Sequence, residues 1–348
     1  FAFEVSVTFG LSPSSKAVSR SKRGASICTN SKFICTNCCI KYKTMQGIES
    51  ASTESGSMFS KIASITLPIF SLVLVGFLYS RRAKPDLGGA NKLVVDVALP
   101  VLIFISLSAK SFDPISALSF TGASILLIIL SGVIAWPLAK FSGATQQAFL
   151  PCVMFTNVGP IGIPLIALAY GSEGMATAVV LLVISNILHF TLGAGVMSGK
   201  VDWRMVYANP LVWATVLGVA SSQLQLSLPD WFQTSCTMIG SVLVPMMLMS
   251  LGARLASSQV ADAWVGVQSG VLILILRVAA VFLTLWLIPL QGLERGALIL
   301  FACLPPAVFN FLLADKFQVE PNKVASTVIV GHLLSLAFLP LGIWLAFI

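Results

Sequence analysis

The chain has 348 residues, 57% of them hydrophobic and 10% charged, with a mean hydropathy of +0.93. Soluble domains carry about 25% charged residues, so this balance excludes one and indicates a polytopic membrane protein. The net charge of +8 does not read as nucleic-acid binding, because the basic residues stand singly in short loops or lie in the first 57 positions.

Residues 1–57 lack an initiator Met and hold, through Lys43, seven Lys/Arg and eight Ser against one acid, Glu4. That is the composition of an organelle transit segment. Translated upstream sequence is the alternative, since Met58-Phe59-Ser60-Lys61 directly precedes the first apolar run. Either way the segment is expected to be a disordered leader outside the fold. Its Cys35, Cys38 and Cys39 have no His nearby and no second pair at ligand spacing, so no metal site is expected. Cys152, Cys236 and Cys303, inside apolar runs, are expected to be small core residues.

Ten apolar segments follow, at about 59–80, 91–109, 117–139, 146–170, 175–198, 206–225, 231–253, 265–289, 294–314 and 322–347. Each approximates the roughly 20 residues a bilayer requires. Breakers mark the connections, as in Phe112-Asp113-Pro114. Ten loop Lys/Arg, among them Arg81, Lys92, Lys140, Lys200, Arg254 and Lys316, follow odd-numbered segments, whereas Lys61, Lys110 and Arg295 lie on the other side. By the positive-inside bias, both ends of the body are expected to face away from the cytoplasm.

The fourth segment is interrupted by Asn157-Val158-Gly159-Pro160-Ile161-Gly162-Ile163-Pro164. Proline removes a donor and clashes with the preceding turn, and glycine costs about 1 kcal/mol in a helix interior, so the helix is expected to break there. A similar interruption, Pro305-Pro306 followed by Asn310, recurs in the ninth segment. Ser106-Leu107-Ser108-Ala109-Lys110 and Ser250-Leu251-Gly252-Ala253-Arg254 likewise correspond. Five segments per repeat is odd, so the second copy must be inverted: repeats at 58–198 and 206–348, joined by a short cytoplasmic linker at 199–205. The fold expected is all-α, with ten transmembrane helices in two inverted five-helix repeats and broken crossing helices four and nine.

Unwound backbone survives in hydrocarbon only when buried in protein or lining a cavity, so two mid-span breaks mark a binding site. The candidate residues are Asn157, Gly159, Pro160, Pro305, Pro306 and Asn310, with Asn186 of the fifth segment. The alternative is a kinked helix with Asn157 capping its own backbone. Helix beginnings at these breaks favour an anion. Arg277, deep in the eighth segment, is a candidate to bind a carboxylate, to pair with Asp96, or to snorkel to the interface. Asp96 has Lys92 as an alternative partner at i, i−4. His189 and His332 are read either as interhelical hydrogen-bonding residues or as proton relays.

The chain has no GxSxG, HExxH or P-loop motif and no acidic pair at catalytic spacing, so no enzyme is expected. These residues meet a known pattern. Leu67-Pro68-Ile69-Phe70 through Gly76, Val97-Ala98-Leu99-Pro100, Asn157-Val158-Gly159 with Gly162-Ile163-Pro164, and Leu304-Pro305-Pro306-Ala307 through Asn310 resemble the auxin efflux carrier family. That family includes plant auxin carriers and bacterial malonate and malate permeases, and the resemblance covers the body from Met58 to Ile348. It implies segments one, two, six and seven as a scaffold, the other six as a mobile unit, and substrate at the crossing of four and nine. Asn157 and Asn186 match polar positions of that site.

The short linker resembles the bacterial-type form, which favours a small mono- or dicarboxylate over auxin. The function expected is therefore secondary transport of a small organic anion by alternating access, with an anion channel or membrane sensor as alternatives. An intramembrane hydrolase using His189 or His332 is a more distant one. No cofactor or metal is expected; proton or sodium coupling is open. The partners expected are the lipid bilayer and the anion, with a homodimer compatible and nucleic acid excluded. The membrane expected is the plasma (bacterial inner-type) membrane, or a plastid envelope if residues 1–57 are a transit peptide.

Overall fold

The computed structural model describes the backbone of residues 36–108, 117–200, 208–257 and 260–348, with their side chains except at 36–57 and 117. The chain divides into two units, Phe1–Thr53 and Glu54–Ile348. All named elements are helical. Helix α1 covers Thr36–Ala83; α2 (Gly88–Leu93) continues through a π-helical turn, Val94–Ala98, into α3 (Leu99–Ser108). Next come α4 (Ala117–Leu138), α5 (Gln146–Met154), a π-helical turn at Val158–Gly162, α6 (Ile163–Leu188), another at His189–Gly193, and α7 (Ala194–Ser198). The remainder are α8 (Pro210–Gln223), α9 (Asp230–Ser257), α10 (Ala263–Leu287), α11 (Gly292–Cys303), α12 (Phe309–Phe317) and α13 (Pro321–Phe347).

Of the leader, residues 1–35 lie outside the described residues. The backbone of residues 36–57 belongs to helix α1. Extending an existing helix adds a hydrogen bond per residue without a new nucleation penalty, so the apolar span can carry the helix backwards. The side chains of Cys35, Cys38 and Cys39, the Phe112-Asp113-Pro114 connection and residues 201–205 of the linker also lie outside the described residues.

Among the described residues, seven helical stretches are long and apolar enough to cross a membrane: Met58–Ala83, Gly88–Ser108, Leu118–Phe141, Val158–Ser198, Asp230–Ser257, Ala263–Leu287 and Pro321–Phe347. Segments four and nine are not among them whole, because each is cut into short helices. Of segment six, described from residue 208, α8 has 14 residues. Val158–Ser198, at 41 residues, is twice the span of a bilayer. It is two helices joined at a kink at Gly171 (φ 70°, ψ −148°), a conformation that side-chain-bearing residues rarely adopt.

Helix α3 packs on α8 and α9, and α1 meets α9 backbone to backbone. A Cβ on Gly76 would strike the Met249 carbonyl, and one on Gly252 the Val73 carbonyl. Small residues thus let two helices approach closely where lipid offers no hydrophobic drive to associate. In a second group, α10 packs on α4 and α13, and α11 on α13, α10 and α6. Helices α5 and α11 are buried on all sides, from Ala148 through Met154 and from Gly296 through Cys303. Elsewhere Leu67, Trp136, Trp213, Trp264 and Trp286 lie exposed on the outer surface, as suits helices facing lipid. The two helices that are apolar all round therefore occupy the centre. Cys152 and Cys303 lie on them as buried free thiols, as expected of core residues.

The start of α5 is tied to the start of α13. The half-buried Glu320 carboxylate accepts from the Thr145 N–H (2.6 Å), the Thr145 hydroxyl (2.9 Å) and Lys323 Nζ (2.7 Å). Burial raises its pKa, but the bonds from Lys323 and Thr145 outweigh that and hold it below the ordinary value of 4.5. A depressed carboxylate pKa contributes stability that is fully present above the ordinary value and lost as pH falls through the lower folded-state value. Glu320→Gln should therefore cost about 1 kcal/mol at pH 7. The gap to wild type should close as pH falls below 4.5; a pH-independent gap in thermal melts would contradict the charge-assisted clamp.

Candidate functional site

Both interruptions fall at the buried centre. Helix α5 ends at Met154, Phe155 is extended (φ −114°, ψ 122°), and helical turns resume at Val158. Helix α11 ends at Cys303, Leu304 is extended (φ −66°, ψ 148°), and α12 begins at Phe309. The unwound segments cross antiparallel. Thr156 and Pro306 form a bridge, the Asn157 N–H donates to the Pro305 carbonyl (2.9 Å), and the Ala307 N–H donates to the Phe155 carbonyl (3.0 Å). Each broken strand thus satisfies the other's backbone, which resolves the main obstacle to non-helical chain in an apolar interior.

The first break falls within the expected stretch, and its second half begins close to Gly159-Pro160. Phe155–Asn157 are unwound, whereas Gly159, Pro160 and Gly162 already belong to the next helical turns. Proline in a first turn forfeits no hydrogen bond, which suits Pro160 to the first turn after the break. Pro305 and Pro306 sit in the second break, as expected, and Asn310 lies in the first turn of α12.

Arg277 holds the crossing together. It is 2% exposed, and its Nε donates to Val153 O (2.5 Å), Nη1 to Leu304 O (2.6 Å), and Nη2 to Cys152 O (2.7 Å) and Phe155 O (3.2 Å). The Cys152 and Val153 carbonyls, in the last turn of α5, and the Leu304 carbonyl, just past α11, are ones a continuing helix would have satisfied, whereas Phe155 O also accepts from the Ala307 N–H. Four of the five guanidinium donors are thereby committed to backbone. Arg277 does not snorkel. Nor does it pair with Asp96, which is exposed on the Val94–Ala98 turn; the one ion pair among the described residues is Lys323–Glu320.

The electrostatic consequence follows from the helix dipole. Each helix end carries about half an elementary charge, negative at C-termini and positive at N-termini. One guanidinium offsets the two negative ends of α5 and α11. The beginnings of the Val158 helix and of α12 are left as the unbalanced charge of the crossing, and it is positive.

Polar side chains line this centre. Asn157 is 4% exposed, and its Nδ2 lies 2.8 Å from His332 Nε2; His332 Nδ1 lies 2.7 Å from the Val328 carbonyl. Because Nδ1 must donate to that carbonyl, a neutral His332 accepts at Nε2 and the Asn157 amide donates to it. Asn310 Nδ2 donates to Phe155 O (3.3 Å). His189 stacks on the Phe155 ring at 4.2 Å and 6°, and meets Phe309 edge-on. Among the described residues Thr156 Oγ1, His189 Nε2 and Asn310 Oδ1 are buried without a protein hydrogen-bond partner. With the Asn310 amide beside His189, these atoms form a polar cluster at the crossing.

The expected residues do not all converge. Asn157, Asn310, Pro305, Pro306, His189 and His332 come together; Gly159 adjoins the cluster beside Leu182 and Met247. Asn186 instead lines a small cavity of about 10 Å³ with Asn209 and Phe190, between α6 and α8. Phe155, whose carbonyl accepts from Ala307, Arg277 and Asn310, escaped sequence reading because its role is carried by backbone. Gly331 also escaped it: a Cβ there would lie 2.7 Å from Pro306 Cδ. Gly331→Ala should displace Pro306 and destabilise the fold by about 1–3 kcal/mol, read as a lowered melting temperature of the purified protein. An unchanged melt would mean that the crossing tolerates the shift.

A family profile described as membrane transport protein matches residues 62–200 and 196–344. The chain belongs to that membrane transport protein family. Among its relatives is an uncharacterized transporter of Methanothermobacter thermautotrophicus, 28% identical over 303 residues, covering 82% of this chain and 98% of the relative. A putative malonate transporter of Rhizobium meliloti is 21% identical over 309 residues, covering 80% of this chain and 93% of that one. Auxin efflux carrier component 8 of Arabidopsis thaliana is 21% identical over 347 residues, covering 79% and 94%. The expected resemblance is thus met, and the chain is an integral membrane protein of a transporter family.

Proposed function

We propose that this membrane transport protein is a secondary carrier of a small organic anion, a mono- or dicarboxylate, which binds at the crossing and is exposed alternately to either side. The observation that carries this reading is the charge balance there: a buried guanidinium offsets the two helix C-termini, and two helix N-termini remain beside Asn157 and Asn310. A site whose positive charge is partial can bind a carboxylate and still release it. The likeness to a putative malonate transporter supports the substrate class. On this reading the body is ten spans in two inverted repeats, the α1, α3, α8 and α9 group acts as scaffold, and the remainder moves against it. Arg277 positions the crossing rather than binding the anion.

On this reading, proton coupling would act at the His332–Asn157 pair. Protonation of His332 would turn Nε2 into a donor facing the Asn157 amide nitrogen, so the amide must rotate and present its oxygen. The test is uptake of malonate, malate, pyruvate and indole-3-acetate into proteoliposomes, each with and without a proton or sodium gradient. Saturable, gradient-driven flux is expected; large passive currents would indicate a channel, and absence of flux a sensor. Reporter fusions at Ile348 and within residues 199–205 should report opposite sides of the membrane, and agreement between them would remove the inverted repeat.

A further inference from the structure

Two large cavities in Glu54–Ile348 share one charged wall. The first, about 600 Å³, lies at the ends of α1 and α9 and is lined, among the described residues, by Arg81, Lys84, Asn91, Ser250 and Arg254 and by no carboxylate. Its floor is fixed by the Ser250 hydroxyl donating to Asn91 Oδ1. The second, about 470 Å³, is walled by Leu251, Val308, Phe311, Leu312 and Ile329 and ends at His332. Arg254 and Ser257 line both. His332 in turn holds Asn157 at the crossing.

The chain thus has a polar, basic outer chamber, an apolar inner chamber, and a guanidinium where they adjoin. An anion leaving water loses hydration as it enters an apolar chamber, and a fixed cation at that threshold offsets the loss. Arg254 is in the last turn of α9, exposed, and lines the same inner chamber as His332. Cations around a low-dielectric cleft also concentrate anions and raise their arrival rate by about 10-fold to 1000-fold.

We propose that the outer chamber is an anion-recruiting site and that Arg254 is the charge-selecting residue of the access path from it to the crossing. The inference rests on the anion-carrier reading for its cargo, a small carboxylate. The path runs from Arg81 and Lys84 past Arg254 into the inner chamber and ends at the His332–Asn157 pair. Arg254 is a specificity residue distinct from the crossing itself, and more negatively charged cargo depends on it more.

The decisive measurement is independent of transport. Ala325 lines the inner chamber. Ala325→Cys would be made in the full chain, with Cys28, Cys35, Cys38 and Cys39 changed to Ser and the buried Cys152, Cys236 and Cys303 retained. Its modification by an anionic and a cationic methanethiosulfonate reagent is then compared, each rate normalised to that with a free thiol. The anionic reagent should react about tenfold faster, the preference should fall towards unity in Arg254→Gln, survive in part in Arg254→Lys, and weaken in 1 M salt, where screening acts within about 3 Å. No preference, or one untouched by Arg254→Gln, overturns the proposal. In proteoliposomes Arg254→Gln should raise KM for malonate more than for pyruvate while leaving the maximal rate near that of wild type. Failure of wild type to transport any of these anions would count against the carrier reading alone, and the reagent ratio would still decide the role of Arg254.

Discussion

Arg277→Met is expected to destabilise the protein by more than about 3 kcal/mol, enough to cost much of its yield in the membrane. Each hydrogen bond from a charged donor contributes about 1.5–3 kcal/mol, and removing the guanidinium leaves buried carbonyls without partners. Those carbonyls belong to Cys152, Val153 and Leu304, while the Phe155 carbonyl keeps the Ala307 N–H and the Asn310 amide, so both breaks lose support at once. Native stability of about 5–15 kcal/mol leaves little room for such a loss. Arg277→Lys should recover only a minor part, since one ammonium on a flexible stem does not reproduce a planar fork spanning two helix ends. The measurement is thermal unfolding of detergent-purified protein. Variants that melt like wild type would show that the crossing does not depend on this residue. Arg277→Gln that keeps wild-type stability but abolishes anion binding would move the substrate beside α10.

The second large effect is expected at Asn157 and Asn310. Asn157→Ala removes the donor to His332, and Asn310→Ala removes a fixed amide beside the Phe155 carbonyl and His189. Each should weaken anion affinity by roughly 1–3 kcal/mol, about 5-fold to 150-fold in apparent KM, with insertion and folding kept. Combining Asn157→Ala with His332→Ala should cost less than the sum, because the two side chains form one hydrogen-bonded pair. Gly159→Leu should stop transport altogether: a Cβ there already stands 3.7 Å from Leu182 and 3.8 Å from Met247, so a longer side chain must displace one of them. If all three single-site changes leave flux at wild-type level, the crossing is not the site of binding.

The two substitution sets separate roles that a list of polar residues would merge. Arg277 has the highest charge at the centre, yet its donors are committed to carbonyls. Asn157 and Asn310 carry no charge, yet they sit where helix beginnings leave an excess of positive potential. Stability should respond to the first and affinity to the second, and a pattern with these responses exchanged would reverse the assignment of roles.

Sequence alone determined that the chain is apolar, helical and interrupted twice, because hydropathy and the prolines act locally and need no partner to be read. Asn157-Val158-Gly159-Pro160 and Pro305-Pro306 advertise broken helices wherever they occur, and lipid leaves such backbone few environments. The residues with backbone roles stayed hidden. Phe155 and Val328 contribute carbonyls, and every residue has one. Gly331 contributes the absence of a side chain against Pro306, which only a neighbour 25 positions away makes meaningful. Arg277 was visible as a costly buried charge, but its partners lie 27 to 125 residues distant and are main-chain atoms, so no spacing rule could select them over Asp96 or a carboxylate ligand. Only the tertiary fold decides which helix ends converge, and the sign of the field at the crossing is a property of that convergence.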